Sequence, residues 1–323
     1  MRTLTYVQAL VEGLREEMLH DPEIVVLGED VGVRGGPFNV TKDLMKEFGK
    51  ERVRDTPISE SGFVGCATGA AMAGMRPVVD LMYIDFSFVA MDQLCNQMAK
   101  LTYMLDGAIS LPITIRTQGG SGKGNAAQHS QSLESLFCHI PGIKVVCAST
   151  PHDVKGLYKS AIRENNPVMF IDHKALYNTK GEVPEEEYTI PLGKAAVRRE
   201  GSDVTLVGYS YLMREVERAA ELLAEKGYKA EVIDLRSLVP LDYDTLIASL
   251  KNTHRMVMCS EAPRRGNYLG DIASELTERA FYELDAPIQV VAAANCPVPS
   301  SKSLEALMRP SAEKIAETAL RYL

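Results

Sequence analysis

Three short stretches hold residue types that could do chemistry. Gly119-Gly-Ser-Gly122-Lys123-Gly124 follows a strand-like run and superficially suggests a phosphate cradle. A Walker loop, however, needs glycine where Thr117 stands and a hydroxyl where Gly124 stands. The stretch reads instead as a flexible loop at a strand end, or as a mobile loop over an active site. Asp55-Thr-Pro-Ile-Ser-Glu60 runs into a helix rich in small residues: Gly62, Gly65, Ala67, Gly69, Ala70, Ala71, Ala73 and Gly74. Glu60 there either complements the positive end of the helix dipole or handles a proton in a site. Gln128-His129-Ser130-Gln131 sets an imidazole among polar neighbours, suited to carrying protons near neutral pH or to a structural hydrogen bond. His20, His139, His152, His173 and His254 are scattered and show no metal-ligand spacing.

The elements that must position these residues follow from the apolar pattern. Val7, Leu10, Val11, Leu14 and Met18 fall at helical spacing, Asp21-Pro22 stops that helix, and Glu23 to Leu27 reads as a strand. Strand-like runs at Pro77 to Met82, Leu111 to Arg116, Lys144 to Cys147 and Pro167 to Ile171 alternate with helical patterns at 61–74, 88–104 and 153–165. Such alternation predicts an α/β fold with a parallel sheet covered by helices. Thr179 to Gly193, with its prolines and acidic run, predicts a surface linker. Beyond it the alternation restarts: a strand from Val204, a helix with Val216, Ala219, Ala220 and Leu223 stopped by Gly227, strands from Ala230, Arg255 and Pro287, and a last helix near 311–322. Two domains are expected, 1–185 and a smaller α/β domain at 186–323. That division suits 323 residues at roughly 100 to 200 per domain. Helix 61–74 is too short for a bilayer, so its small residues imply a close helix contact in water, across a subunit interface for example.

Composition narrows the function classes. Hydrophobic residues at 46% and charged residues at 24% describe a globular chain. A net charge of -8 argues against nucleic acid or an anionic membrane as the main partner, and leaves a small-molecule substrate open. Six cysteines without CxxC spacing, mostly in apolar runs, read as reduced core residues of a cytoplasmic protein. No signal-peptide pattern and no run of about 18 apolar residues is present.

The stretches become specific in combination. Gly28-Glu29-Asp30-Val31, Asp55 to Glu60, Asp80-Leu-Met82-Tyr-Ile-Asp-Phe86 and Ala127-Gln128-His129-Ser130-Gln131 occur in one order. Together with Val232-Ile-Asp-Leu-Arg236, Pro240-Leu241-Asp242 and Glu261-Ala262, they make nearly the whole chain resemble the E1 β subunits of thiamine-diphosphate-dependent 2-oxo acid and acetoin dehydrogenase complexes. The resemblance implies a thiamine-diphosphate pyrimidine-binding domain followed by a transketolase C-terminal-like domain. It implies that Glu60 hydrogen-bonds N1′ of the aminopyrimidine and favours the tautomer that handles a proton, while Phe86 stacks on that ring, Met82 lines its pocket and Glu29 lies nearby. His129 would donate or relay protons to bound intermediates. Potassium ligands would fall at Ile113, Ala161, Glu164 and Asn166, with Glu164 where the family more usually has aspartate.

The family's diphosphate end needs Mg2+ held by a Gly-Asp-Gly segment with later asparagines, and no such segment occurs in this sequence. The resemblance therefore implies an E1 α subunit that holds Mg2+ and the diphosphate, an α2β2 heterotetramer, and an E2 lipoyl acyltransferase that receives the acyl unit. His173 to Tyr177 and Val183 to Gly193 look most like acetoin dehydrogenase β chains, with pyruvate dehydrogenase close behind and branched-chain 2-oxo acids as an alternative. A non-catalytic scaffold subunit is the competing reading from another class. A single-chain transketolase lacks its diphosphate motif here, and a kinase using 119–124 fails on spacing.

Overall fold

Thr5 and Gln8 close the first helix with a capping box, the Thr5 side chain accepting from Gln8 N while the Gln8 side chain accepts from Thr5 N. This start belongs to a computed structural model that describes residues 1–323. Its chain contacts define two units, Met1–Gly119 with Leu136–Leu192, and Gly120–Ser135 with Gly193–Leu323.

The first unit runs β1 (Arg2–Thr5), α1 (Tyr6–His20), β2 (Ile24–Gly28), α2 (Leu44–Phe48), β3 (Val53–Asp55), α3 (Glu60–Met72), β4 (Arg76–Leu81), α4 (Leu101–Met104), β5 (Thr114–Gly119), α5 (Glu134–Cys138), β6 (Lys144–Val146), α6 (Pro151–Arg163), β7 (Val168–His173) and β8 (Lys180–Val183). Its sheet has the order β6-β7-β5-β4-β2-β3, each neighbouring pair parallel. β4, β5 and β7 are buried along almost their whole length, as strands of a parallel sheet covered on both faces must be. α6 starts on a Thr150 cap with Pro151 behind it, and α1 packs against it. Between them the buried ammonium groups of Lys155 and Lys159 are met by Glu12 and Glu16.

Three local expectations shift. Pro112 has no N–H to give a ladder, and the strand expected at 111–116 lies at Thr114–Gly119. The helix expected over 88–104 is broken into a 3-10 segment, Ile84–Ala90, a π-helical segment, Asp92–Met98, and α4. The segment 179–193 is not linker throughout, because β8 pairs antiparallel with β1 at the start of the chain.

The second unit contains β9 (Ala196–Arg199), β10 (Val204–Gly208), α7 (Met213–Ala224), β11 (Ala230–Asp234), β12 (Ser237–Val239), α8 (Tyr243–Thr253), β13 (Met256–Pro263), α9 (Tyr268–Ala280), β14 (Gln289–Ala293), α10 (Lys302–Met308) and α11 (Ala312–Leu320). Its sheet has the order β14-β13-β10-β11-β9, parallel except for β9. The expected apolar stripe of α7 packs with Ile315, Ala316 and Ala319 of α11 over Leu206, Val232 and Val257. Each such branched side chain contributes about 1.5–3 kcal/mol on burial. No helix is long and apolar enough to cross a membrane. All six thiols are free; Cys95, Cys147 and Cys259 are buried, but Cys66 and Cys296 are exposed, so the core reading holds for only part of the set.

Candidate active site

Parallel strands present their C-terminal ends together, and ligands of open α/β sheets gather there. β4, β2 and β3 are consecutive neighbours in the first unit. Glu29 follows β2 directly, Glu60 opens α3 just after β3, and Met82 follows β4 with Phe86 beyond it. Residues from three separate stretches of sequence are thus delivered to one edge. Gly28 permits the closeness: a Cβ there would lie 2.4 Å from the Asp80 carbonyl oxygen. Asp55 then fixes the turn after Glu29, accepting from Gly32 N at 2.6 Å and Val33 N at 3.2 Å.

The electrostatics of this edge favour a held proton. Glu29 is buried, and its Oε1 has no hydrogen-bond partner. Burial first, then the charges of Glu60, Asp30 and Asp80, push the Glu29 carboxyl up to about 7. Glu60 is also buried, at the first residue of α3. A buried carboxyl raised toward neutrality can hold or release a proton there. Met82 and Phe86 are half-buried, leaving apolar surface accessible next to it.

Behind the site, Arg116 of β5 is almost wholly buried and donates to Asp80 at 2.6 Å, to Asp172 at 2.6 Å and to the Tyr177 hydroxyl at 2.5 Å. Gln118 donates to the other oxygen of Asp80 at 3.1 Å. One guanidinium thus serves two buried carboxylates, and the charge of Asp80 adds to the effects that raise the Glu29 carboxyl. Sequence reading missed this network. Its signal was available: lone charges of opposite sign inside apolar strands, in Val-Val-Asp80, Thr-Ile-Arg116 and Phe-Ile-Asp172.

His129 lies in the second unit, on the 120–135 segment, and is half-buried. That segment lines a cavity of about 450 Å³ with Ala127, Ser130 and Gln131, opposite Glu261 and Asn295. Glu261, Glu305 and Glu134 are buried carboxyls of this region that the sequence motifs do not mark as functional, Glu261 entering only with the resemblance. Burial, and secondarily the charge of Glu261, push the Glu134 carboxyl up to about 7.

The expected potassium ligands gather where α6 ends. Ala161 O accepts from Thr114 Oγ1 and Glu164 N, Ile113 O from Val168 N, and Glu164 O from the Arg76 guanidinium at 2.8 Å. The Glu164 carboxylate pairs with Lys144 and also accepts from Asn166. No group of three or more His, Cys, Asp or Glu residues is arranged to hold a metal ion.

Residues 2–180 match the family described as transketolase, pyrimidine binding domain, and residues 193–315 match transketolase, C-terminal domain. The chain is 47% identical, over 100% of its length and 98% of the relative's, to acetoin:2,6-dichlorophenolindophenol oxidoreductase subunit beta of Cupriavidus necator. It is 44% identical, over 100% and 99%, to pyruvate dehydrogenase E1 component subunit beta of Bacillus subtilis. Among solved structures it matches a split-gene transketolase, an inactive β4 tetramer, with TM-score 0.80 at 23% identity, covering 99% of this chain and 98% of that one. A transketolase from Pichia stipitis matches with TM-score 0.70 at 16% identity, covering 100% of this chain and 46% of that one. At those identities the solved structures speak for the fold alone.

Proposed function

The chain belongs to the transketolase-like family of paired pyrimidine-binding and C-terminal domains, and on that premise we propose that it is the β subunit of a thiamine-diphosphate-dependent E1 dehydrogenase acting on acetoin or a 2-oxo acid. The observation that carries the reading is the Glu29–Glu60 pair at the ends of β2 and β3, beside half-buried Met82 and Phe86. The residues fit an aminopyrimidine, because the orphaned, buried Oε1 of Glu29 and the buried Glu60 offer what a nitrogen heterocycle would satisfy. When bound, thiamine diphosphate supplies an electron sink for cleavage of a bond next to a carbonyl.

The chain's own part is proton handling and orientation. Glu60 would hold a proton at the pyrimidine ring nitrogen. Glu29, near its titration point at neutral pH, would keep the neighbouring site from carrying two full charges. Phe86 and Met82 would flank the ring, and His129 would give or take a proton at substrate oxygen. The diphosphate and Mg2+ would be held by an E1 α subunit, since this sequence lacks the Gly-Asp-Gly segment.

An exposed stripe of small residues supports that assembly. Gly62, Cys66, Gly69 and Ala73 form an exposed stripe along the α3 end, and a Cβ at Gly69 would meet nothing within 4 Å. The smallness of Gly69 is therefore not demanded by this chain, but suits a helix from another in the α2β2 heterotetramer. Transfer of the acyl unit to the lipoyl group of an E2 completes the reading. Acetoin is the favoured substrate, with pyruvate as the alternative, and the free thiols suit the reducing cytoplasm. A potassium ion at Ile113, Ala161, Glu164 and Asn166 would share the Glu164 carbonyl with Arg76.

Glu60→Gln in the complex co-expressed with its partner tests the proposal. Turnover should fall by about 10²–10⁴ while assembly is kept. Retained turnover would remove Glu60 from the chemistry, and lost assembly with no prior turnover would favour a scaffold.

A further inference from the structure

The glycine-rich loop that fails as a phosphate cradle is nevertheless an anion cradle, and the anions it holds are the protein's own. Ser121 donates both its N–H, at 2.7 Å, and its hydroxyl, at 2.6 Å, to Oε1 of Glu261 at the end of β13. Gly122 N donates to Oε1 of Glu305 at 3.1 Å, and Gly124 N donates to Oε2 of the same residue at 3.1 Å. Glu305, on α10, is fully buried, and it directs both oxygens at this loop. At the base of the loop, Gly120 N donates to Gln131 O at 3.0 Å.

Local propensity does not hold this shape. Gly120, Gly122 and Gly124 have φ of +80°, +97° and +74°, and Ala126 has +60°, so the unrestrained segment has many other conformations to visit. At Gly122 a side chain is also excluded by space, because a Cβ would lie 2.9 Å from Nη1 of Arg309. Charge-assisted hydrogen bonds are roughly twice as strong as neutral ones, and four of them fall within four residues here. His129 lies five residues past Gly124 on the same loop.

We propose that Glu305 and Glu261 are positioning residues for the reaction: they clamp the 120–131 loop through its amides and so fix the place from which His129 acts. The proposal rests on the reading of His129 given above. Neither carboxylate needs to touch substrate for this.

Lys123 makes the clamp measurable. It is exposed, between the two amides that Glu305 holds, and trypsin can cut after it only when the loop opens. Cleavage then tracks the open population. Glu305→Gln keeps the volume but turns a donor toward one of the two N–H groups. In the holoenzyme complex, the fragment beginning at Gly124 should appear about tenfold faster for E305Q. Ser121→Ala, which removes one hydroxyl and no packing of consequence, should accelerate nicking about threefold. For E305Q, kcat should fall about tenfold with KM within about twofold, as for a group that acts through another at the chemical step. An unchanged nicking rate in both variants overturns the clamp. Faster nicking with unchanged kcat overturns the positioning role. The nicking assay needs no turnover, so failure of the thiamine-enzyme reading would show separately, as absence of thiamine-dependent activity in the parent complex.

Discussion

Replacing Glu134 by Gln should change stability in a way that depends on pH with a definite sign. Glu134 is buried, its Oε2 has no hydrogen-bond partner, and burial together with the Glu261 charge lifts its carboxyl from 4.5 to about 7. Between those values the unfolded chain has lost the proton while the folded chain keeps it, so folded protein binds more protons and stability falls as pH rises. Below 4.5 the group costs nothing, and above 7 the full cost applies. At about 1.4 kcal/mol per unit, a shift of roughly 2.5 units amounts to about 3 kcal/mol. Gln is an uncharged isostere of the protonated form. The two proteins should therefore share a thermal midpoint near pH 5 and diverge above it, the variant standing up to about 4 °C higher at pH 8. Differential scanning calorimetry of the parent and variant complexes at a series of pH values measures this directly. A difference that stays flat with pH, or a variant less stable than the parent at pH 8, would refute the assignment of a high-pKa acid to this position.

Two other outcomes follow from the same structure. Gly69→Leu has room on this chain and gains helix propensity, so its unfolding free energy as a separate chain should change by no more than about 1 kcal/mol. Recovery of a co-expressed partner chain should nonetheless collapse, and full recovery would show that this face meets nothing. Arg116→Met leaves Asp80 and Asp172 buried without their cation and should cost about 3–5 kcal/mol at neutral pH. That deficit should shrink in acid as the carboxylates protonate; a pH-independent deficit, read from denaturant midpoints, would mean that packing rather than charge is lost.

Local pattern was enough to read the βα alternation, the buried stripe of α7 and the last helix, because helix and strand periods are written in neighbouring residues. The ordered motifs around Glu29, Glu60, Met82 and His129 were legible for a similar reason: each is a short run whose residue types carry the signal. The β1–β8 ribbon was not legible, since Arg2 pairs with Val183 and neither run looks like a strand by itself. Nor was the broken helix after Phe86, where the apolar spacing is helical but the hydrogen-bond ring changes size. Sequence alone determined which residues are equipped for proton chemistry and that the diphosphate motif is missing. Only tertiary structure decided that Glu29 holds its proton near neutrality, because that follows from burial and from the charges of Asp80 and Glu60 on other strands and helices. It likewise decided what the glycine loop binds: Gly122 and Glu305 are 183 residues apart, and the hydrogen bond between them exists only once the chain has folded.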